Sequence, residues 1–275
     1  MNLDRCAIHT MTFKPWSLAT CCERFAAAGV PAISVWRNVV ATEEGGVGVA
    51  EAARVIADSG LRVPAYVRGG FFTAHDAADR RSAIDLNRRI LDEAAALGAR
   101  MVVLVVGATP GVPLAEARRQ VTDGIADCVA HADAAGVGLV IEPLHPMYAG
   151  DKSCVNRIAE ARSICDAIGS PRVGVAVDTY HVWWDPDLAA ELAALGRAGQ
   201  LMAYHVCDWR VPTRDLLTDR ALMGDGCIDL PRMTAAVEAA GFAGDAEVEI
   251  FSEEHWSGDL DAYLERIATR FREAV

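Results

Sequence analysis

Seven glycines recur along this chain at the ends of helix-like stretches: Gly29, Gly60, Gly98, Gly136, Gly169, Gly199 and Gly241. Each follows an alanine-rich or amphipathic segment and precedes a short apolar run. A glycine just past a helix supplies the left-handed residue that stops it, because it has no Cβ to clash. Their mean spacing is about 35 residues, close to the size of one strand–helix unit. A chain punctuated in this way is restricted to folds that repeat such a unit.

The apolar runs are Cys6–His9, Ala32–Trp36, Arg62–Val67, Met101–Val106, Val137–Ile141, Val173–Val177, Leu201–Val206 and Ala246–Ile250. The sixth, with Val173, Val175 and Val177 spaced by small residues, suits a strand buried on both faces. Helices are expected at about 17–28, 48–59, 79–97, 114–135, 153–168, 187–198, 231–240 and 259–273. Ile84, Leu91, Ala94 and Ala95 line one face of the third, and Ile158, Ala161, Cys165 and Ile168 one face of the fifth. Ser17, Ser153 and Asp185 stand where N-caps belong. Eight strands alternating with eight helices predict an α/β protein: a (β/α)8 TIM barrel, as one domain over residues 1–275. A doubly wound open sheet is the alternative, but no GxGxxG follows the first strand.

Composition narrows the partners. The formal net charge is -12 and the pI is near 5.0. Such a surface repels phosphate backbones and anionic membranes, so neither nucleic acid nor membrane is an expected partner. Met1 is followed by Asn2, Leu3, Asp4 and Arg5, and no run reaches the roughly 18 apolar residues of a membrane span. A cytoplasmic protein is the expectation. The eight cysteines form no CxxC and lie mostly inside apolar runs, which fits buried free thiols in a reducing compartment.

In a barrel of this type the site lies at the C-terminal mouth, so the residues at the strand ends carry the chemistry. The first strand ends near His9, the second at Trp36-Arg37, the third at Arg68 and the fourth at Gly107. The fifth ends at Glu142 in VIEPLHP, with His145 just beyond. The sixth ends at Asp178 in VAVDTYH, the seventh at His205 in AYHVCDW and the eighth at Glu249 in AEVEIF. A turn-capping role would satisfy Asp178 without any ligand. Three acids converging in one funnel, however, repel unless something neutralises them. A divalent cation held by Glu142, Asp178, His205 and Glu249 resolves this. The oxygen-rich set favours Mn²⁺ or Mg²⁺, with Co²⁺ or Zn²⁺ next.

The order Glu142, Asp178, His205, Glu249 on strands five to eight resembles the xylose isomerase-like TIM barrels. The IEP turn, the DTYH segment and the MGDG segment at Met223–Gly226 carry the same resemblance, which covers nearly the whole chain. That family of sugar phosphate isomerases and epimerases includes ketose 3-epimerases, hydroxypyruvate isomerases, inosose dehydratases and endonuclease IV. The resemblance implies one bound metal ion, with Glu142 and Glu249 also moving protons and His181 bonding a substrate oxygen. The metal would polarise the carbonyl. One glutamate would remove the neighbouring proton to give an enediolate, and the other would return it on the opposite face or to the adjacent carbon. The epimerases carry a further glutamate six positions after the strand-five ligand, where this chain has Tyr148. They also place an arginine shortly after the strand-seven histidine, for which Arg210 is the nearer candidate and Arg214 the weaker one.

Arg37, Arg68 and Arg210 form a candidate clamp for a phosphate or carboxylate, the alternative being ion pairs with wall acids. Trp36 and Trp183, like Trp16, Trp184, Trp209 and Trp256, fall near strand-end loops. Such rings stack on sugar C–H faces, pack the core or cement a subunit interface. His145 completes the candidate substrate contacts. Lys152 has only its position after strand five to recommend it as a Schiff-base lysine, and Glu253, Glu254 and His255 read as a solvated cluster.

The expected function is a metal-dependent isomerase or epimerase of a ketose or related keto-sugar. A lyase acting on an inosose or a 3-keto glycoside, including a C-glycoside deglycosidase, would use the same chemistry and stays open. A nuclease like endonuclease IV would need extra histidines from strands three and four, which offer Arg68-Gly69 and Gly107-Ala108 instead. The expected partner is a small sugar, and homodimeric or homotetrameric assembly is left open.

Overall fold

The computed structural model describes every residue from Met1 to Val275. Its first seven strands are β1 (Cys6–His9), β2 (Ala32–Trp36), β3 (Ala65–Gly70), β4 (Met101–Val105), β5 (Gly138–Ile141), β6 (Val173–Asp178) and β7 (Leu201–Val206). A two-stranded ribbon of β8 (Asp208–Trp209) and β9 (Arg220–Ala221) then precedes β10 (Ala246–Val248). Strands β1 to β7 each pair in parallel with the next, and β10 joins β7 to β1, so the barrel closes. The expected (β/α)8 TIM barrel is the observed fold.

The helices are α1 (Leu18–Ala27), α2 (Val49–Ser59), α3 (Ala77–Ala96), α4 (Leu114–Ala135), α5 (Ile158–Ile168), the single turn α6 (Thr179–Val182), α7 (Leu188–Ala198), α8 (Leu230–Ala239), the single turn α9 (Glu253–Trp256) and α10 (Leu260–Ala274). No helix is long and apolar enough to cross a membrane. All seven helix-closing glycines are left-handed, with φ between 66° and 91°. The eight cysteines are free, and all but Cys227 are buried.

Three expected boundaries shift, each for a local reason. The third strand begins at Ala65, past Pro64, which has no N–H to give a ladder. It extends instead through Gly69 and Gly70, which pair with Leu104 and Val105, so Arg68 lies within the strand. Ser17 caps α1 by accepting the Thr20 N–H at 3.1 Å, but Ser153 caps nothing. Its hydroxyl closes a tight turn on Val155, and α5 starts only at Ile158. Asp185 is likewise no N-cap; it is buried and takes a two-pronged ion pair from Arg157 at 2.6 and 3.1 Å.

Side chains alternate across each strand, and this period of two positions the site. One set, including Ile8, Tyr66, Leu104 and Tyr204, packs outward against the helices in the main core. The other set faces the barrel axis, where Ala65, Val67, Val103, Val140, Ala176 and Ala203 form a small apolar plug. Two residues beyond Val140, Ala176 and Ala203 come Glu142, Asp178 and His205. The same inward register that buries small residues lower in the barrel therefore delivers polar ones to its mouth.

Gly70 shows how tightly the mouth is built. Its φ is 107°, and a Cβ there would lie 2.0 Å from the Val105 carbonyl oxygen. Gly70→Ala is therefore expected to destabilise the protein by about 3 kcal/mol or more. Gly150→Ala, at a position with open space, should stay within about 0.5 kcal/mol of the parent. Chemical denaturation of both variants checks this; equal midpoints would refute the strained close approach.

Candidate metal centre

Glu142, Asp178, His205 and Glu249 reach the mouth from β5, β6, β7 and β10, and each offers a ligand atom within 4.8 Å of the others. All four are buried. Strand register sets two of the contacts: Asp178 lies beside His205, and His205 beside Glu247. His205 turns Nδ1 toward the cluster, 2.9 Å from Glu142 Oε1. Asp178 does two jobs at once. Its Oδ1 accepts the Tyr180 N–H at 2.7 Å, capping α6, while Oδ2 faces the cluster. The capping role and the cluster role therefore coexist in one carboxylate.

Cations and imidazoles crowd these acids. Arg220 donates from Nη1 to Glu249 Oε2 at 2.8 Å and to Asp178 Oδ2 at 3.1 Å. His9 places Nδ1 3.1 Å from Glu249 Oε1. A further acid, Glu247, lies two residues before Glu249; it accepts the Ser34 hydroxyl at 2.5 Å and faces His9 Nε2 at 3.4 Å. His9 Nε2 and His205 Nε2 are buried without a hydrogen-bond partner, and Glu247 Oε2 is 3.9 Å from the latter.

The titration behaviour follows from burial and these neighbours. Burial pushes the Asp178 carboxyl up, and Arg220 offsets this only in part. Burial would also raise Glu249, but the charges of His9 and Arg220 hold it well below the usual carboxylate range. Burial alone would lower His205, yet its hydrogen bond to Glu142 and the charges of Glu247, Glu142 and Glu249 bring it up to about 10. His181 goes the other way: burial and the adjacent Arg220 hold it well below the ordinary histidine value. Its Nδ1 accepts the His145 N–H at 3.2 Å, and its Nε2 lies 3.3 Å from Arg220 Nη2 and 3.7 Å from Asp178 Oδ2.

A cavity of about 370 Å³ opens over the cluster. Glu142, Glu249 and His181 line it, with Trp36 and Arg68 among the expected substrate contacts. Asp178 and His205 lie beneath, with no exposed surface.

The other expected substrate contacts lie elsewhere. Arg37 turns away into a buried ion-pair knot with Glu93 at 2.9 Å, Glu44 at 2.6 Å and Glu43. Arg210 pairs with Asp219 at 2.8 Å, as does Arg214 through a two-pronged contact, and both reach Glu254. His145 packs against Trp184 and Trp209 and acts on the cavity only through its bond to His181. Trp183 borders a separate hollow between α7 and α8, beside Leu192 and Met233.

The residue that sequence reasoning missed is Arg220. It begins β9, four positions before Gly224 in the MGDG segment, and enters an apolar run, Ala221-Leu222-Met223. An arginine heading an apolar run next to a recognised segment was the available signal. Asp208 holds that segment in place: its carboxylate accepts the N–H groups of Gly224, Gly226 and Ile228, each at 3.0 Å. Tyr148, six positions after Glu142, also lines the cavity, and its hydroxyl donates to the Leu216 carbonyl at 2.8 Å.

Known proteins share this fold. The family model for the xylose isomerase-like TIM barrel matches residues 22–273. The crystal structure of SMc04130 from Sinorhizobium meliloti 1021 aligns with a TM-score of 0.94 at 46% identity, covering 99% of both chains. That of the IolI protein with a bound zinc atom aligns with a TM-score of 0.85 over 98% of this chain and 97% of its own, at 19% identity, a likeness of fold. An inosose isomerase of Bacillus velezensis is 26% identical over 192 residues, or 68% of this chain and 66% of that protein. This chain thus spans just under two thirds of the length of that relative. From the family match and the closed barrel together, the chain belongs to the xylose isomerase-like TIM barrel family.

Proposed function

We propose that the protein is a divalent-metal-dependent isomerase or epimerase of a keto-sugar or cyclic keto-polyol. The observation that carries this reading is the convergence of Glu142, Asp178, His205 and Glu249 beneath the cavity. The donor set suits a hard or borderline cation: three carboxylates and one imidazole, buried together. Arg220 and the imidazoles of His9 and His205 balance these acids, and a divalent ion would take the place of the proton on His205. Mn²⁺ or Mg²⁺ fits the set first, and Co²⁺ or Zn²⁺ next. When bound, such an ion polarises a substrate carbonyl and acidifies the adjoining C–H.

The chain's own residues then have distinct tasks. Glu249, kept ionised by His9 and Arg220, takes the proton from carbon. Glu142, hydrogen-bonded to His205, returns it. Arg220, with His181 beside it, lines the cavity where its N–H groups can donate to an oxygen that gains charge. Trp36, Val105, Leu144 and Phe251 give the cavity apolar walls that exclude water and accept sugar C–H faces. The relative named inosose isomerase supports cyclic keto-polyols as candidates beside open-chain ketoses.

Elemental analysis should find about one divalent metal per chain, lost when Glu142, Asp178, His205 and Glu249 are all replaced by alanine. Equal metal in both proteins would remove the centre. The ion must displace the proton that His205 holds below pH about 10, so metal affinity should rise about tenfold per pH unit between roughly 7 and 9. Calorimetry in buffers of different ionisation enthalpy measures that proton directly, and no proton release would exclude His205 as a ligand. Glu249→Gln should lower turnover by about 10³-fold or more while circular dichroism shows the fold retained. With the parent enzyme in D₂O, NMR should show deuterium entering beside the carbonyl without net loss of water. Dehydration or loss of an aglycone would mark a lyase instead.

A further inference from the structure

We propose that Arg68 and Lys152 form an anion-binding subsite at the outer end of the cavity, so that the substrate carries a carboxylate or phosphate remote from the four-residue cluster. This subsite rests on the reading of the cavity as a sugar site and makes it more specific.

The charged residues of the cavity divide by depth. Glu142, Glu249 and Arg220 are buried at the inner end, and Arg220 is committed to acids there. Arg68 is exposed and Lys152 half-buried, and both line the same space. Neither side chain is engaged in an ion pair or a hydrogen bond; each rests on an aromatic ring instead. The Arg68 guanidinium lies 4.7 Å from the Phe71 centroid, and the Lys152 ammonium 4.1 Å from that of Tyr148. A ring holds a cation by its π face and leaves the N–H donors free for a ligand. The two other arginines of the expected clamp, Arg37 and Arg210, lack that freedom because acids occupy them.

Both rings are fixed by the barrel. Phe71 sits at φ 56°, an uncommon conformation for a bulky residue, and its N–H donates to the Val105 carbonyl at 2.8 Å. Its side chain stays 42% exposed at the rim rather than entering the core. Tyr148 is anchored by its hydroxyl on the Leu216 carbonyl. Two free cations facing one cavity, in a chain of net charge -12, call for an anion from outside.

The layout also sets direction. An anionic group is attracted by the rim cations, so one orientation is favoured. Arg68 offers paired donors that match a carboxylate or phosphate, and Lys152 adds a compact charge.

The test compares matched substrates on the metal-loaded enzyme: a neutral ketose, the corresponding keto-uronate and the corresponding ketose phosphate. One anionic member should exceed the neutral ketose in kcat/KM by about 10- to 100-fold, and which one does so identifies the anion. The Arg68→Gln/Lys152→Gln variant should bring that ratio near one, chiefly through KM. Equal rates for neutral and anionic substrates, or a ratio that survives in the variant, would overturn the subsite and leave the isomerase reading standing. If none of the three is turned over, titration with inorganic phosphate and with acetate decides. Binding at least tenfold weaker in the variant upholds the subsite and places the failure in the assigned reaction, whereas equal binding overturns the subsite.

Discussion

Mutual repulsion among three buried carboxylates governs the architecture of this protein's mouth. Glu142, Asp178 and Glu249 are brought within reach of one another by strands that cannot move apart in a closed barrel. Arg220 sits against two of them, His205 against the third, and His9 against Glu249. Behind this layer, Glu247 faces the far nitrogens of both histidines, so positive and negative charge alternate outward from the centre. Each member shifts its neighbours' protonation: Glu249 is held ionised, while the burial of Asp178 is only partly relieved. A charge shell of this kind loses stability when any one member is removed.

The barrel and its loops divide the work. Strand register alone delivers the four cluster residues, two positions beyond small residues on the inward face for Glu142, Asp178 and His205. Glu247 and Glu249 follow the same alternation beside β1 and β7. The cations that face the cavity come from less regular places: Arg68 at the register break in β3, Lys152 after β5 and Arg220 on the small ribbon. The buried cluster is thus set by the rigid sheet, and the cavity's cations by less regular segments.

That division explains what the sequence alone conveyed. Glycine caps, strand order and the four strand-end residues follow from local patterns, and all are where those patterns put them. Arginines are a different matter, because their role depends on which acids lie nearby in space. Arg37 meets Glu93, 56 positions along the chain, and Arg210 meets Asp219 across a loop. Nothing local marks either pairing. Arg220 is held near its acids by its N–H bond to the Phe251 carbonyl and by Asp208, which fixes the segment that follows. Tryptophans were equally ambiguous: Trp36 lines the cavity, while Trp184 donates to the His181 carbonyl at 2.8 Å and Trp209 stacks on Tyr180. The third strand was placed too early because Pro64 does not disturb an apolar pattern, only a hydrogen-bond ladder.

The ribbon that carries Arg220 is held at both ends by the barrel. The Arg220 N–H donates to the Phe251 carbonyl at 2.9 Å, and the segment beyond is fixed by Asp208. Between these anchors, Val211, Leu216 and Leu217 are exposed, and the tip is tied down through the Leu216 carbonyl, which accepts the hydroxyls of Tyr148 and Tyr180. A backbone carbonyl is indifferent to the side chain that bears it. The tip can therefore exchange its residues, or gain and lose a few, without disturbing the arginine or the acids beneath. In evolutionary terms, one hood can be recut for new ligands while the machinery below it is inherited intact.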